Sequence, residues 1–329
     1  MIMDSRLDQL CGWLTDYFSL ADGAAISPAD LSSVCGDASF RRYFRLQQGG
    51  RSWIAVDAPP EKERGTAAFV DVATRLERAG ICAPHVHHVT LQHGFMLLDD
   101  LGEQSYRALI QQPTDAAQLA ELLPLLPAMA EQVFVDGLPV YSEPMLQAEM
   151  DEFWQWYLAH HRQQPFDTQE QQCWQQLCDL ILAELGAQPQ VFVHRDFMSS
   201  NLMRTPQGMV GVIDFQDAVI GPLTYDFASL VWDRYISWSR PQLEAWMETV
   251  RQQMAPQIDP QRWQRWCDWT GLQRNLKIAG RFARLNYRDG KPGYLPLIPR
   301  FVEFIRDVMA RYDELAPFRP MLEARLCEQ

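Results

Sequence analysis

The run His194-Arg195-Asp196-Phe197-Met198-Ser199-Ser200-Asn201, followed by Ile213-Asp214-Phe215-Gln216-Asp217, holds the residue types that phosphoryl transfer needs. It fits the spacing H-R-D-x-x-x-x-N with an Asp-Phe pair thirteen residues after Asn201. A hydroxyl that attacks phosphorus needs an acceptor carboxylate, a role for Asp196. A triphosphate needs Mg2+ held by hard oxygen ligands, a role for Asn201 and Asp214. An isolated Asp-x-x-x-x-Asn is usually no more than an Asx turn. Here the letters lie between strand-like runs and are followed by Gly221-Pro222-Leu223-Thr224-Tyr225-Asp226, a coincidence that a turn alone does not explain.

Short strands must place these groups. Val191-Phe192-Val193, Leu202-Met203-Arg204 and Met209 to Ile213, the last two separated by the turn Thr205-Pro206-Gln207-Gly208, bring polar residues to strand ends and so to one edge. Such an edge avoids the ordering cost that a free loop would carry. Upstream, Leu7, Leu10, Leu14 and Phe18 recur at helical spacing, and Phe40 to Asp57 alternates as a hairpin broken by Gln47-Gln48-Gly49-Gly50. Thr66 to Ala79 puts Phe69, Val72, Ala73 and Leu76 on one helical face before Gly80 stops it, and Phe95 to Leu98 is a buried strand. Beyond Gly102 the pattern is helical, with 9 of the 11 tryptophans after residue 150, so we divide the chain into an N-terminal lobe, 1–98, and a helical C-terminal lobe, 99–329. The glutamine-rich stretch Gln163 to Gln176 reads as a solvated loop with helical flanks.

With these motifs, residues 30 to 290 resemble the aminoglycoside-phosphotransferase and choline-kinase-like superfamily, small-molecule kinases of protein-kinase fold. The resemblance implies an α+β, bilobal protein-kinase-like fold with a strand-rich N-lobe and a mostly helical C-lobe, and ATP and Mg2+ as cofactors. It makes Asp196 the acceptor of the hydroxyl proton, Asp226 a brace for the catalytic loop and His194 a loop-shaping residue. Gly36, Asp37, Ala38 and Ser39 would form the flap whose N–H groups approach the phosphates, and backbone groups at Asp99 and Leu101 would hold adenine. One departure stands out. The third strand, Ser52-Trp53-Ile54-Ala55-Val56-Asp57, lacks the family's lysine, so Lys62 or an arginine such as Arg41, Arg42 or Arg45 must supply the cation. Glu63 and Glu77 are both candidates for its acidic partner on the following helix.

The altered strand, the run Gly-Asp-Ala-Ser-x-Arg-Arg-Tyr-x-Arg from Gly36 to Arg45, and Asp57-Ala58-Pro59-Pro60-Glu61 form a narrower signature. It resembles bacterial amino-sugar kinases that phosphorylate the anomeric C1 hydroxyl of N-acetylmuramate and N-acetylglucosamine for peptidoglycan recycling. The residues by themselves reach only a kinase of a small hydroxyl compound. Candidate substrate contacts in the helical lobe are Glu149, Trp156, Arg274, Lys277 and Arg281, with Tyr141, Asp151, Trp154, Asn275 and Arg284 nearby in sequence. The spacing 274, 277, 281, 284 also describes a solvated helical face, which would claim most of those cations.

Composition narrows the alternatives. With 329 residues, 47% hydrophobic and 22% charged, the chain can bury two cores. A net charge of −13 gives no electrostatic reason to expect nucleic acid or an anionic membrane as partner, and it keeps open a kinase of an aminoglycoside, choline or other cationic alcohol. The missing lysine keeps open a pseudokinase binding module, although such a module has no chemical need for Asp196, Asn201 and Asp214 together. No apolar window approaches a membrane span, and seven scattered cysteines without a Cys-x-x-Cys pair suit reduced thiols, so a cytoplasmic monomer is expected. His85, His87, His88 and His93 read as a polar strand edge.

Overall fold

The structure, a computed structural model, describes residues 4–19, 25–34, 40–62 and 65–326. It comprises two compact units. The first contains residues 1–104 and 202–217, and the second contains 105–201 and 218–329. Among the described residues, no helix is long and apolar enough to cross a membrane.

In the first unit, β1 (Leu31–Val34), β2 (Arg42–Gln48), β3 (Arg51–Asp57), β4 (Val86–Thr90) and β5 (Phe95–Asp99) form an antiparallel sheet of order β1-β2-β3-β5-β4. The β2–β3 turn places Gly49 and Gly50 at φ 59° and 71° between the pair Gln48↔Arg51. A two-residue turn of this hand needs positive φ at both positions, which is why the glycines sit there. Helix α1 (Ser5–Ser19) turns Leu10, Cys11, Leu14 and Phe18 onto Phe44, Leu46, Trp53, Ala55, Phe95 and Leu97 of the sheet. Helix α2 (Thr66–Arg78) buries the four apolar residues that its spacing marked.

The hairpin Leu202–Arg204 with Val210–Val212 belongs to this unit and not to the helical one. Three contacts account for this. The Val212 N–H donates to the Cys82 carbonyl at 2.8 Å, Phe215 packs on Phe69 of α2 with centroids 4.6 Å apart, and Leu101 lies so close over Gly211 that a Cβ there would come within 2.6 Å of it. The single division at 98/99 expected from the sequence therefore differs from the one found. The first cut falls after Gln104, and the chain returns once to the first unit.

The second unit is built around the helix Pro260–Tyr287. Asp259 caps it by accepting from the Gln261 and Arg262 N–H groups at 2.9 and 3.1 Å, and Pro260 occupies a first-turn position that needs no donor. The helix Glu143–Glu152 runs on into the π-helix Phe153–His161 and crosses the long helix at Gly280, where a Cβ would stand 2.2 Å from the Glu152 carbonyl carbon. The helix Thr168–Gly186 occupies most of the glutamine-rich stretch read as a loop. Asp167 and Glu170 form a reciprocal capping box, each accepting the other's N–H, and this starts the helix at Thr168. The strands Gln190–Val193 and Val219–Pro222 pair antiparallel, with Val193 opposite Val219, and deliver the chain to His194.

Candidate active site

His194, Arg195 and Asp196 leave the end of the strand Gln190–Val193 as a tight loop. Asp226, in the first turn of the helix Tyr225–Val231, accepts the N–H groups of His194 at 2.7 Å and Arg195 at 3.0 Å. Arg195 adopts φ 73°, a left-handed conformation costing a non-glycine residue roughly 1–2 kcal/mol. Its own side chain helps to offset that cost. The guanidinium donates to Glu149 at 2.8 Å and lies over the Tyr141 ring at 4.9 Å. The His194 Nδ1 accepts the Asp196 N–H at 3.3 Å, which ties the imidazole to the loop backbone. The Asn201 Nδ2 donates to the Asp196 carbonyl at 2.9 Å, which fixes how the amide is turned.

Asp196 as a residue is half-buried. Burial opposes its charge, but Lys277, His194, Arg274 and Arg195 together hold it below the usual carboxylate range. Asp226 behaves oppositely. Burial pushes it up to about 6, with Asp196 adding to the rise, while His194 and the two N–H donors pull back.

Behind the loop lies a buried polar network. Glu149 accepts from Arg195, from Lys277 at 3.1 Å and from the Tyr141 hydroxyl. The Lys277 ammonium also donates to the Tyr141 and Tyr225 hydroxyls at 3.1 and 3.3 Å. Burial works against the Glu149 charge, yet Lys277, Tyr141 and Arg195 keep it below its ordinary range. Arg274 donates to the Ser229 hydroxyl and the Trp232 carbonyl, both at 3.0 Å, and Ser229 donates to the Arg195 carbonyl at 3.3 Å. The face carrying Arg274 and Lys277 is thus interior and not solvated, at 3% and 6% exposure. Glu149, Arg274 and Lys277 point onto the catalytic loop. Arg281 keeps 31% of its side chain exposed and Trp156 is half-buried.

Asp214 stands exposed at φ 64°, accepting from Gln216 at 3.0 Å, while the neighbouring Phe215 is anchored on α2. The flap residues Gly36, Asp37, Ala38 and Ser39, and Glu63, lie outside the described residues. Asp57, at the end of the lysine-less strand, is buried between the guanidiniums of Arg6 and Arg42. Arg45 is committed to Asp100 at 2.6 Å and to Glu103. Arg41 is buried, whereas Lys62 is exposed with its ammonium 5.7 Å from the Phe40 ring. The Asp99 N–H is used by the His85 carbonyl at 3.1 Å, and its carboxylate meets His87 at 2.7 Å. His85 pairs with Glu77, and His88 stacks on Trp13. Asp151 accepts the indole N–H groups of Trp154 and Trp174, a packing role.

The model of the phosphotransferase enzyme family (APH) matches residues 30–266. The chain belongs to that family. Two relatives agree with this along nearly their whole length. A Pseudomonas aeruginosa protein named N-acetylmuramate/N-acetylglucosamine kinase is 39% identical over 97% of this phosphotransferase and 96% of its own chain. A Neisseria meningitidis protein of the same name is 39% identical over 96% and 95%. Among solved structures, a choline/ethanolamine kinase family protein from Mesorhizobium loti has TM-score 0.61 at 14% identity, covering 93% of this chain and 97% of its own. A thermostable aminoglycoside phosphotransferase APH(4)-Ia has TM-score 0.58 at 17% identity, covering 91% and 99%. These last two establish the kinase fold of the phosphotransferase. Sequence reasoning gave no catalytic-site role to Arg195, Tyr225, Ser229 or Glu152. The only available signals were adjacency to Asp196 and Asp226, and the three-residue step from Glu149 to Glu152.

Proposed function

We propose that this protein transfers the γ-phosphoryl group of ATP to the anomeric C1 hydroxyl of N-acetylmuramate and N-acetylglucosamine, yielding the α-1-phosphates for peptidoglycan recycling in the cytoplasm. The relatives carrying that name support the substrate class. The observation that carries the chemistry is the pre-set catalytic loop, with Asp196 held ionised and partly open while Asp226 accepts both preceding N–H groups. Asp196 accepts the proton of the attacking hydroxyl as the new O–P bond forms and the bond from the γ-phosphorus to the bridging oxygen breaks, releasing ADP. Fixing the loop beforehand means that little reorganisation is needed at the moment of reaction.

The donor set fits a hard cation. Asn201 presents an amide whose nitrogen donates to the Asp196 carbonyl and whose oxygen accepts from the Ser200 hydroxyl at 3.4 Å, and Asp214 is an exposed carboxylate; amide and carboxylate oxygens are the hard donors Mg2+ takes. Asn201 and Asp214 are each assigned to Mg2+, which would neutralise charge on the triphosphate. Arg41 and Lys62 are the cations we assign to the phosphates in place of the lysine absent from the third strand. Asp99 and Leu101 supply the adenine contacts.

Phosphorus NMR of the product formed from each sugar tests the reading. A C1 phosphate is expected, whereas a C6 phosphate, or turnover of only an aminoglycoside or choline, rejects it. Asp196→Asn should lower kcat roughly 10²- to 10⁴-fold with nucleotide affinity retained, because the acceptor is lost and the nucleotide ligands remain. Loss of nucleotide binding in that variant would contradict the assigned role.

A further inference from the structure

The proposed substrates differ in one group. N-acetylmuramate carries an ether-linked lactyl carboxylate at C3, where N-acetylglucosamine has a hydroxyl. Four cations line one side of the helix Pro260–Tyr287, and the structure separates them. Arg274 and Lys277 are enclosed and committed to Ser229, Trp232, Glu149 and the two tyrosines. Arg281 and Arg284, one and two turns further along, converge on a single acid. Arg281 donates to Glu152 from Nε at 2.6 Å and from Nη2 at 3.0 Å, and Arg284 pairs with the same carboxylate. Two guanidiniums against one carboxylate leave a local positive charge in a chain of net charge −13.

Several details suit that surplus to an anionic ligand. The Arg284 Nε is buried without a partner. Burial and the neighbouring Arg281 depress the Arg284 charge, while Glu152 and Asp289 pull the other way. Burial also opposes the Arg281 charge, but Glu152, and then Glu149 and Asp196, raise it above the ordinary range. Asp196 is therefore near enough to act on Arg281 electrostatically. Arg281 stands one helical turn, roughly 5.4 Å, beyond Lys277, whose ammonium acts on Asp196 as well. The C3 substituent of a pyranose lies two ring carbons from C1, so a sugar presented with its C1 hydroxyl at Asp196 carries that substituent to side chains neighbouring the carboxylate. Trp156, on the π-helix that follows Glu152, offers a half-buried ring beside the same helix. The close crossing at Gly280 brings Glu152 within reach of both arginines.

We propose that Arg281, backed by Arg284 and aimed by Glu152, receives the lactyl carboxylate of N-acetylmuramate and so sets the preference between the two sugars. This rests on the amino-sugar kinase reading above. A guanidinium–carboxylate pair is the strongest single contact by which the two substrates can differ.

The test is kcat/KM for both sugars in the wild-type enzyme, Arg281→Gln and Arg284→Gln. Arg281→Gln should shift the ratio of kcat/KM toward N-acetylglucosamine by roughly 10- to 100-fold, chiefly through KM for N-acetylmuramate. Arg284→Gln should shift it in the same direction by less. Amidation of the lactyl group should cost the wild-type enzyme a similar factor and cost Arg281→Gln nothing more. An unchanged ratio, or equal loss on both sugars in both arginine variants, overturns the assignment. A wild-type enzyme that turns over neither sugar overturns the function reading itself, and that result is visible without any variant.

Discussion

Asp226 is drawn two ways. The loop needs it ionised, since it accepts from both His194 and Arg195, yet burial lifts it to about 6. Above that pH the carboxylate is charged and the loop is held. As pH falls through 6 it gains a proton and loses acceptor strength. We therefore expect kcat to decline on an acidic limb near pH 6, measured as a pH–rate profile at saturating substrate. Asp196 cannot produce that limb, because its neighbours hold it below the usual carboxylate range. An acidic limb only below about pH 4 would transfer the controlling role to Asp196. The stability sign is opposite. A carboxyl raised in the fold makes the native state bind protons that the unfolded chain releases, so ionised Asp226 costs about 3 kcal/mol above pH 6. That cost is relieved as pH falls from 6 toward 4. Asp196 and Asn201 stand out in the sequence because the motif that holds them is one short segment. Arg195 was not singled out, because its strain and its pairing with Glu149 depend on a helix 46 residues away.

At the scale of elements, Gly280 is the contact on which the substrate side of the second unit turns. A glycine inside a helix ordinarily costs about 1 kcal/mol relative to alanine, so Gly→Ala should stabilise. At Gly280 the added Cβ would meet Glu152 and Phe153 backbone atoms at 2.2 and 2.3 Å, neither of which can move without displacing a helix. Overpacking wins there, and Gly280→Ala should destabilise by about 1–3 kcal/mol in urea unfolding. Gly12, exposed on α1 with nothing near its Cβ direction, is the matched control and should gain up to about 1 kcal/mol on the same change. Equal effects of the two substitutions would show that the crossing is looser than described. The elements of the first hundred residues were readable from alternation and from Gly49-Gly50. The start of the helix at Thr168 was missed because a run of glutamines carries no hydrophobic period, and the signal lay in the Asp167–Glu170 cap.

At the scale of the whole molecule, each unit has its own core. Five cysteines among the described residues, Cys11, Cys82, Cys173, Cys178 and Cys267, carry free thiols. Burial raises the Cys178 and Cys267 thiols furthest, while Cys82 and Cys173 are only half-buried. In the native enzyme, a thiol reagent should label Cys82 and Cys173 well before Cys178 and Cys267, read by mass spectrometry of labelled peptides, and a reductant should leave Tm unchanged. Labelling of Cys267 at the rate of the unfolded chain would mean that the long helix opens locally.

The amino-acid order alone determined the H-R-D-x-x-x-x-N segment, the Asp-Phe pair that follows it and the strand-rich to helical progression. Each of these is encoded within a few residues by turn chemistry and by periods of two or 3.6. Only the tertiary structure decided which cations on the helix Pro260–Tyr287 face inward. It also decided that Asp57 lies between Arg6 and Arg42, and that the hairpin after Asn201 packs with the first unit. Periodicity states that residues share a face, but what covers that face comes from segments tens of residues away. Burial and pairing, which set the charge and use of each side chain, are therefore properties of those remote neighbours.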